Sequence, residues 1–161
     1  MHTPRNPPLF LLDANACNAL QRIGDLNELE SVARAGIIDL LYTETTWDEA
    51  QFGSLVRREK VEEFFFVGLS SDEVNLSLQE PWRNAIAALV FPAGITSDNQ
   101  RRDVEALLTV KISGGCFVTS DGASKTQRGG ILGHKCQLAK LGVEVLNFTE
   151  ALARATTATQ S

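Results

Sequence analysis

Short, unbroken apolar runs alternate along the chain with longer stretches in which apolar residues recur every three or four positions. A run of four or five apolar residues is typical of a strand covered on both faces, as in the middle of a parallel sheet. The runs predict five strands, at about residues 8–12, 36–42, 64–67, 116–119 and 143–146.

The stretches between these runs predict helices, at about residues 15–23, 26–35, 44–60, 82–90, 97–113 and 127–141. Several carry end signals, such as the S-x-x-Q cap that starts at Ser97 and the glycine pair Gly114-Gly115. An apolar stripe from Trp82 to Val90 is typical of a core-facing helix, with a subunit or partner surface as the alternative. The alternation predicts a three-layer α/β/α domain, with a central parallel sheet of four to five strands and helices on both faces.

The chain has 161 residues, of which 43% are hydrophobic and 22% charged, enough for one sizeable core but not for two ordinary domains. We expect one domain over residues 8–150. Residues 1–7 are polar and proline-rich and are expected to be disordered. Residues 151–161 are expected to form a C-terminal tail, frayed from residue 155, because ATTATQS has almost nothing to bury.

The formal charge of −5 and pI near 5.0 argue against bulk attraction to nucleic acid, unless the acids cluster and leave basic residues to meet phosphate elsewhere. The three cysteines, Cys17, Cys116 and Cys136, contain no C-x-x-C pair and are expected to be small buried residues in a reducing compartment. No apolar stretch approaches the length of a membrane span, and the run at 9–12 is too short for a signal-peptide core. We therefore expect a cytoplasmic protein with no membrane contact.

Two aspartates stand where a predicted strand meets a polar turn. Asp13 follows the first strand, and Asp121 follows the strand at 116–119. Ligands of open α/β sheets bind beyond the carboxyl ends of the strands, so both aspartates are expected at that edge. The alternatives are local: Asp13 as a helix N-cap and Asp121 as part of an Asp-Gly turn.

Two further acids fall at element ends that the same fold would bring to this edge. Asp103 lies early in the helix at 97–113, on the face that carries its apolar residues; its alternative is a first-turn acid that complements the helix dipole. Glu49 lies in the helix after the second strand, and Thr46-x-x-Glu49 is itself a capping box. Four clustered carboxylates would repel one another, and a divalent cation such as Mg²⁺ or Mn²⁺ would make the cluster tolerable at neutral pH.

The order of these residues resembles the PIN-domain family of metal-dependent nucleases, which includes the VapC-like toxins of toxin–antitoxin pairs. The resemblance covers residues 8–150. It is carried by LFLLDANACNAL around Asp13, by Glu49 after the second strand, and by DVEALLTVKISGGCFVTSD, in which 18 positions separate Asp103 from Asp121. Asp48 and Glu44 are the alternative candidates for the acidic position that we assign to Glu49.

The resemblance implies an endoribonuclease that cleaves RNA phosphodiester bonds, with a toxin as one form of that activity. It implies Mg²⁺ or Mn²⁺ as the cofactor. It also implies two protein partners, namely a cognate antitoxin and a second copy of the chain in a homodimer. Its metal ligands and catalytic residues would be Asp13, Glu49, Asp103 and Asp121, supported by Asn15 and Thr119. Asn15 and Thr119 have local turn chemistry as their alternative.

Substrate phosphates would need basic contacts. Four basic residues flank Asp103 and Asp121 in sequence, namely Arg101, Arg102, Lys125 and Arg128. Charged residues of this kind also occur on ordinary solvated faces, which is the alternative.

The chain departs from the family pattern in two places, an additional stretch around residues 76–97 and the Arg128-Gly-Gly130 sequence within the predicted helix at 127–141. Two other function classes stay open: a PIN fold that binds protein or RNA without cleaving, and a receiver-type signalling domain that binds Mg²⁺. The receiver type would need a lysine after the last strand, and none follows Val145. No Ser/His/Asp arrangement and no P-loop competes with the acids.

Overall fold

The computed structural model describes residues 7–13, 16, 23–42, 76–122 and 130–159 of the chain. The helix predicted at 44–60 and the strand predicted at 64–67 lie outside the described residues, as does most of the helix predicted at 15–23.

Four strands of the described residues form one sheet in which every neighbouring pair is parallel. They are β1 (Leu9–Leu12), β2 (Asp39–Tyr42), β3 (Cys116–Val118) and β4 (Glu144–Leu146), and their order is β2-β1-β3-β4. The prediction of a central parallel sheet is confirmed, and each strand lies within the apolar run that predicted it.

One face of the sheet is covered by helices α1 (Gly24–Arg34) and α5 (Phe148–Thr159). Side chains alternate between faces along a strand, so Phe10 and Leu12 of β1 lie on this side together with Val118 of β3. The helices contribute Leu26 and Leu29 from α1 and Ala151 and Ala155 from α5, all buried.

The opposite face is covered by α2 (Leu76–Val90), α3 (Asp98–Ser113) and α4 (Lys135–Lys140). Leu11 and Phe117 point into this second core, where they meet Ile86 of α2 and Leu107 of α3. Five helices on two faces of the described sheet confirm the predicted three-layer α/β/α architecture.

The limits of α3 follow from local chemistry. The Ser97 hydroxyl accepts a hydrogen bond from Gln100 N at 3.2 Å, which satisfies one of the first-turn amides. Gln100 Oε1 in turn accepts from Thr96 N at 2.7 Å. At the other end Gly114 adopts φ 75°, a left-handed conformation that glycine takes without strain, and the helix stops.

The additional stretch around residues 76–97 is mainly α2, and the expectation that its apolar stripe faces the core is confirmed. Ile86 and Val90 are buried, and Trp82 and Leu89 pack against the same core. Arg83 of α2 forms an ion pair with Glu105 of α3, which ties the two helices together.

Two sequence-based expectations about the secondary structure are wrong. The helix predicted at 127–141 is replaced, in its described part, by a 3₁₀ helix at Ile131–His134 and the short α4, because Gly130 is extended with ψ −174°. The C-terminal end is not frayed at residues 155–159: α5 reaches Thr159, and Ala155 is fully buried against α1. Among the described helices, none combines the length with the apolar composition that a membrane span requires.

Candidate functional site

The candidate site lies at the carboxyl ends of β1 and β3. The chain leaves β1 toward β2 on one side, whereas β3 flanks β1 on the other, so the strand order reverses here. Such a switch point is where open α/β sheets form a ligand-binding crevice. Asp13 directly follows β1, and its amide donates to Val118 O at 3.0 Å, which holds it beside the end of β3.

Thr119 joins the two aspartates. It is fully buried, its Oγ1 donates to Asp13 Oδ2 at 2.7 Å, and the same oxygen accepts from Asp121 N at 3.0 Å. Its own amide donates to Leu146 O at 3.0 Å, which fixes it to β4. The structure thus places Asp13 and Asp121 at one edge of the sheet, as the strand pattern predicted, although they are far apart in sequence.

Asp13 also begins a turn, because its carbonyl oxygen accepts from Ala16 N at 3.0 Å. The side chain is half-buried. Asn15, expected to support it, lies outside the described residues.

Asp121 has a second set of contacts with the chain after it. Its Oδ2 accepts from Ile131 N at 3.0 Å, and its carbonyl oxygen accepts from Leu132 N at 3.0 Å. Gly122 follows with φ 85° in the Asp-Gly turn that was the local alternative for this residue. Turn chemistry is therefore present at Asp121, and it orients the carboxylate rather than excluding a ligand role.

Asp103 lies in α3, half-buried, next to the buried Val104. Within the described ranges, no three side chains of His, Cys, Asp or Glu lie close enough together to hold a metal ion. Asp13, Asp103 and Asp121 therefore do not form such a group by themselves. Glu49 lies outside the described residues.

The basic residues predicted to contact substrate are described only in α3. Arg101 and Arg102 are exposed in its first turns; Arg101 donates to Asp98 Oδ1 at 2.8 Å and Arg102 to Asn99 Oδ1 at 3.2 Å. Both contacts are local and leave the guanidinium groups at the surface. Lys125 and Arg128 lie outside the described residues.

Sequence reasoning missed Gly130 and the Ile131 amide, which lie directly against the Asp121 carboxylate. The Gly129-Gly130 pair was the available signal, since glycine often marks a close approach of the backbone to another group. The partner of such a glycine is set by tertiary structure, so the pair alone could not identify Asp121.

A separate polar cluster lies at the amino ends of β3 and β4, away from the candidate site. Cys116 Sγ donates to Glu144 Oε2 at 3.2 Å and accepts from Arg154 Nη1 at 3.2 Å, and Arg154 pairs with Glu144. Burial, followed by the hydrogen bond and the charge of Glu144, raises the pKa of the Cys116 thiol to about 11. Cys116 is half-buried. Cys136 is exposed, so the expectation of a buried cysteine is wrong at that position. Cys17 lies outside the described residues.

The sequence was also compared with known proteins. No protein-family model matches it, and no curated protein matches it.

Proposed function

We propose that the chain is a metal-dependent endoribonuclease of the PIN type. The observation that carries the proposal is the link through Thr119, which holds Asp13 and Asp121 together at the switch point of a parallel sheet. The proposal also includes an RNA substrate, a cognate antitoxin, a homodimer and a cytoplasmic location. These four parts rest on the resemblance to the PIN-domain family and on the composition of the chain.

Two of the described side chains have the chemistry that a hard divalent cation prefers. Mg²⁺ is commonly held by one or two carboxylates together with water and substrate phosphate, and Asp13 and Asp121 supply two carboxylates at one edge. Glu49 and Asp103 are the further ligands proposed from the sequence. A bound ion of this kind would supply Lewis-acid stabilisation of the scissile phosphate and a more acidic water.

The chain's own residues would then orient the two carboxylates. Thr119 directs one oxygen of Asp13 through a short hydrogen bond, and the Ile131 amide directs one oxygen of Asp121. Outer hydrogen bonds of this kind orient metal ligands and raise affinity. Arg101 and Arg102, exposed at the start of α3, are the proposed contacts to substrate phosphates.

The second candidate is a PIN fold that binds RNA or protein without cleaving it. It is favoured by one observation: among the described residues, no three acidic side chains lie close enough together to hold a metal ion.

The test is an RNA cleavage assay with Mg²⁺, with Mn²⁺ and with EDTA. Wild type is compared with Asp13→Asn and Asp121→Asn, and with Asp39→Asn as the matched control, because Asp39 is an exposed aspartate at the amino end of β2, the opposite edge of the sheet. We expect each site substitution to lower cleavage by at least about 100-fold, since even loss of an outer-shell partner costs 10–100-fold. The control should cleave as wild type does.

Cleavage that persists in EDTA, or in both site variants, would contradict the nuclease proposal. RNA binding without cleavage under any metal condition would instead support the binding module.

A further inference from the structure

Gly130 lies in unusually close contact with Asp121. A Cβ atom built on Gly130 would lie 2.6 Å from Asp121 Oδ1 and 2.6 Å from Gly122 N. Gly130 itself has φ −72° and ψ −174°, an extended conformation that any residue can adopt. The requirement for glycine at this position is therefore steric and not conformational.

The residues after Gly130 hold the other atoms of Asp121. The Ile131 amide donates to Oδ2 at 3.0 Å, and the Leu132 amide donates to the Asp121 carbonyl at 3.0 Å. Ile131 is 1% exposed and packs in the core beneath α2 and α3, so its amide has little freedom to move. Asp121 is thus held by the 130–132 segment on one side and by Thr119 on the other.

We propose that Gly130 is a positioning residue for Asp121. Because it lacks a side chain, the main chain approaches closely enough for the Ile131 amide to reach the carboxylate, which then lies at the edge shared with Asp13. This inference rests on the proposed function, since the role assigned to Asp121 is that of a metal ligand. An alanine at position 130 would place its Cβ against the Asp121 carboxylate and the Gly122 amide.

The first experiment measures Mn²⁺ affinity of the full chain by calorimetry for wild type, Gly130→Ala and Gly24→Ala. Gly24 is the matched control, because its backbone is not left-handed and an added Cβ would meet nothing within 4 Å. Gly130→Ala is expected to bind Mn²⁺ about tenfold more weakly, the lower end of what loss of an outer-shell contact costs. Gly24→Ala is expected to bind as wild type does.

The second experiment measures thermal unfolding of Gly130→Ala in the wild-type and in the Asp121→Ala background. The alanine at 130 is expected to lower Tm by roughly 5 °C in the wild-type background, a moderate loss for a chain of this size. In the Asp121→Ala background the loss should be smaller, because the contact with the carboxylate is gone while the contact with the backbone atom Gly122 N remains.

The outcomes separate the two proposals. Equal Mn²⁺ affinity in wild type and Gly130→Ala, or equal Tm losses in both backgrounds, would each overturn the inference. A different result is that wild type binds no Mn²⁺ while the two Tm losses still differ. The proposed function would then be wrong, and so would the metal role of the contact between Gly130 and Asp121. The Tm difference would still show that Gly130 positions Asp121.

Discussion

At the scale of single residues, the hydroxyl of Thr119 has two partners in a fully buried position. It donates to one aspartate and accepts from the amide of the other, so a single oxygen couples the carboxyl ends of β1 and β3. A buried polar group that loses its partner costs about 1–3 kcal/mol, so this oxygen matters for stability as well as for the proposed site.

Thr119→Val keeps the shape of the side chain but removes the hydroxyl. We expect the free energy of unfolding to fall by about 1–3 kcal/mol, because the Asp121 amide loses its buried acceptor. Mn²⁺ affinity should fall about tenfold, because Asp13 loses the donor that orients it. Urea denaturation and calorimetry measure the two effects.

Two variants control that experiment. Thr119→Ser retains the hydroxyl and should restore most of the Mn²⁺ affinity. Thr109→Val removes a hydroxyl that donates only to Glu105 O within α3, so it should leave Mn²⁺ binding unchanged. Wild-type affinity in Thr119→Val would show that the hydroxyl does not orient Asp13 for metal.

Cys116 gives a second prediction at this scale. Its raised pKa, about 11, leaves roughly 0.1% thiolate at pH 8, so alkylation by iodoacetamide should be slow. Glu144→Gln removes the carboxylate whose hydrogen bond and charge, after burial, do most to keep the thiol protonated, and it leaves Arg154 beside the sulfur. The pKa should fall and alkylation should accelerate, as followed by mass spectrometry of the Cys116 peptide.

The exposed Cys136 provides the internal control, since its alkylation rate should be the same in both chains. An unchanged rate at Cys116 in Glu144→Gln would mean that burial alone sets its reactivity.

At the scale of elements, α5 shows why the sequence-based expectation for the C-terminal end was wrong. The tail was expected to fray because it lacks large apolar residues, but Ala151 and Ala155 are small enough to let α5 pack closely on α1. Its start carries a signal that could have been recognised. Asn147 Oδ1 accepts from Glu150 N at 2.8 Å and Glu150 Oε1 accepts from Asn147 N at 3.3 Å, a reciprocal cap.

Glu150 also pairs with Lys135 of α4, which links two elements that lie on opposite faces of the sheet. The hydrogen bond from Lys135 is the main cause that lowers the pKa of Glu150 below its usual 4.5. A carboxyl with a lowered folded-state pKa stabilises the fold above its unfolded pKa, and this contribution is lost as pH falls through the folded value.

Glu150→Gln preserves an oxygen for the cap but removes the charge. We expect it to be less stable than wild type at neutral pH by about 0.5 kcal/mol, as for partly exposed ion pairs, and the difference to shrink as pH falls below 4.5. Urea denaturation across this pH range measures it. Glu28→Gln, at an exposed position of α1, should show no comparable trend, and a pH-independent loss in Glu150→Gln would contradict the role of charge.

At the scale of the whole molecule, the sheet has a core on each face, and adjacent residues of one strand serve different cores. Leu11 points toward α2 and α3, and Leu12 points toward α1 and α5; both are fully buried. A two-layer fold would bury only one of such a pair.

We therefore expect Leu11→Ala and Leu12→Ala each to lower the free energy of unfolding by about 2–5 kcal/mol, the range for truncation of buried leucines. Ile95→Ala is the control, because Ile95 is an exposed large apolar residue. Urea denaturation monitored by circular dichroism measures all three. A loss below about 1 kcal/mol at either leucine would show that one face is poorly packed.

The pattern of apolar and polar residues along the sequence determined where the described strands and α3 lie. Apolar runs located the four described strands and indicated that they are covered on both faces. They could do so because a strand buried on both faces needs apolar residues at consecutive positions. The cap at Ser97 and the stop at Gly114 located α3, because both act within one turn of chain. The same reasoning placed Asp13 and Asp121 at strand ends.

Only the tertiary structure decided which strands are neighbours. The order β2-β1-β3-β4 brings Asp13 beside Thr119 across 106 positions of sequence, and no local pattern encodes that contact. It likewise decided that Gly130 faces Asp121 and that the alanines of α5 face α1. Such contacts depend on how whole layers pack, since the partner of a small or polar residue lies in a distant segment whose position is set by the burial of both cores.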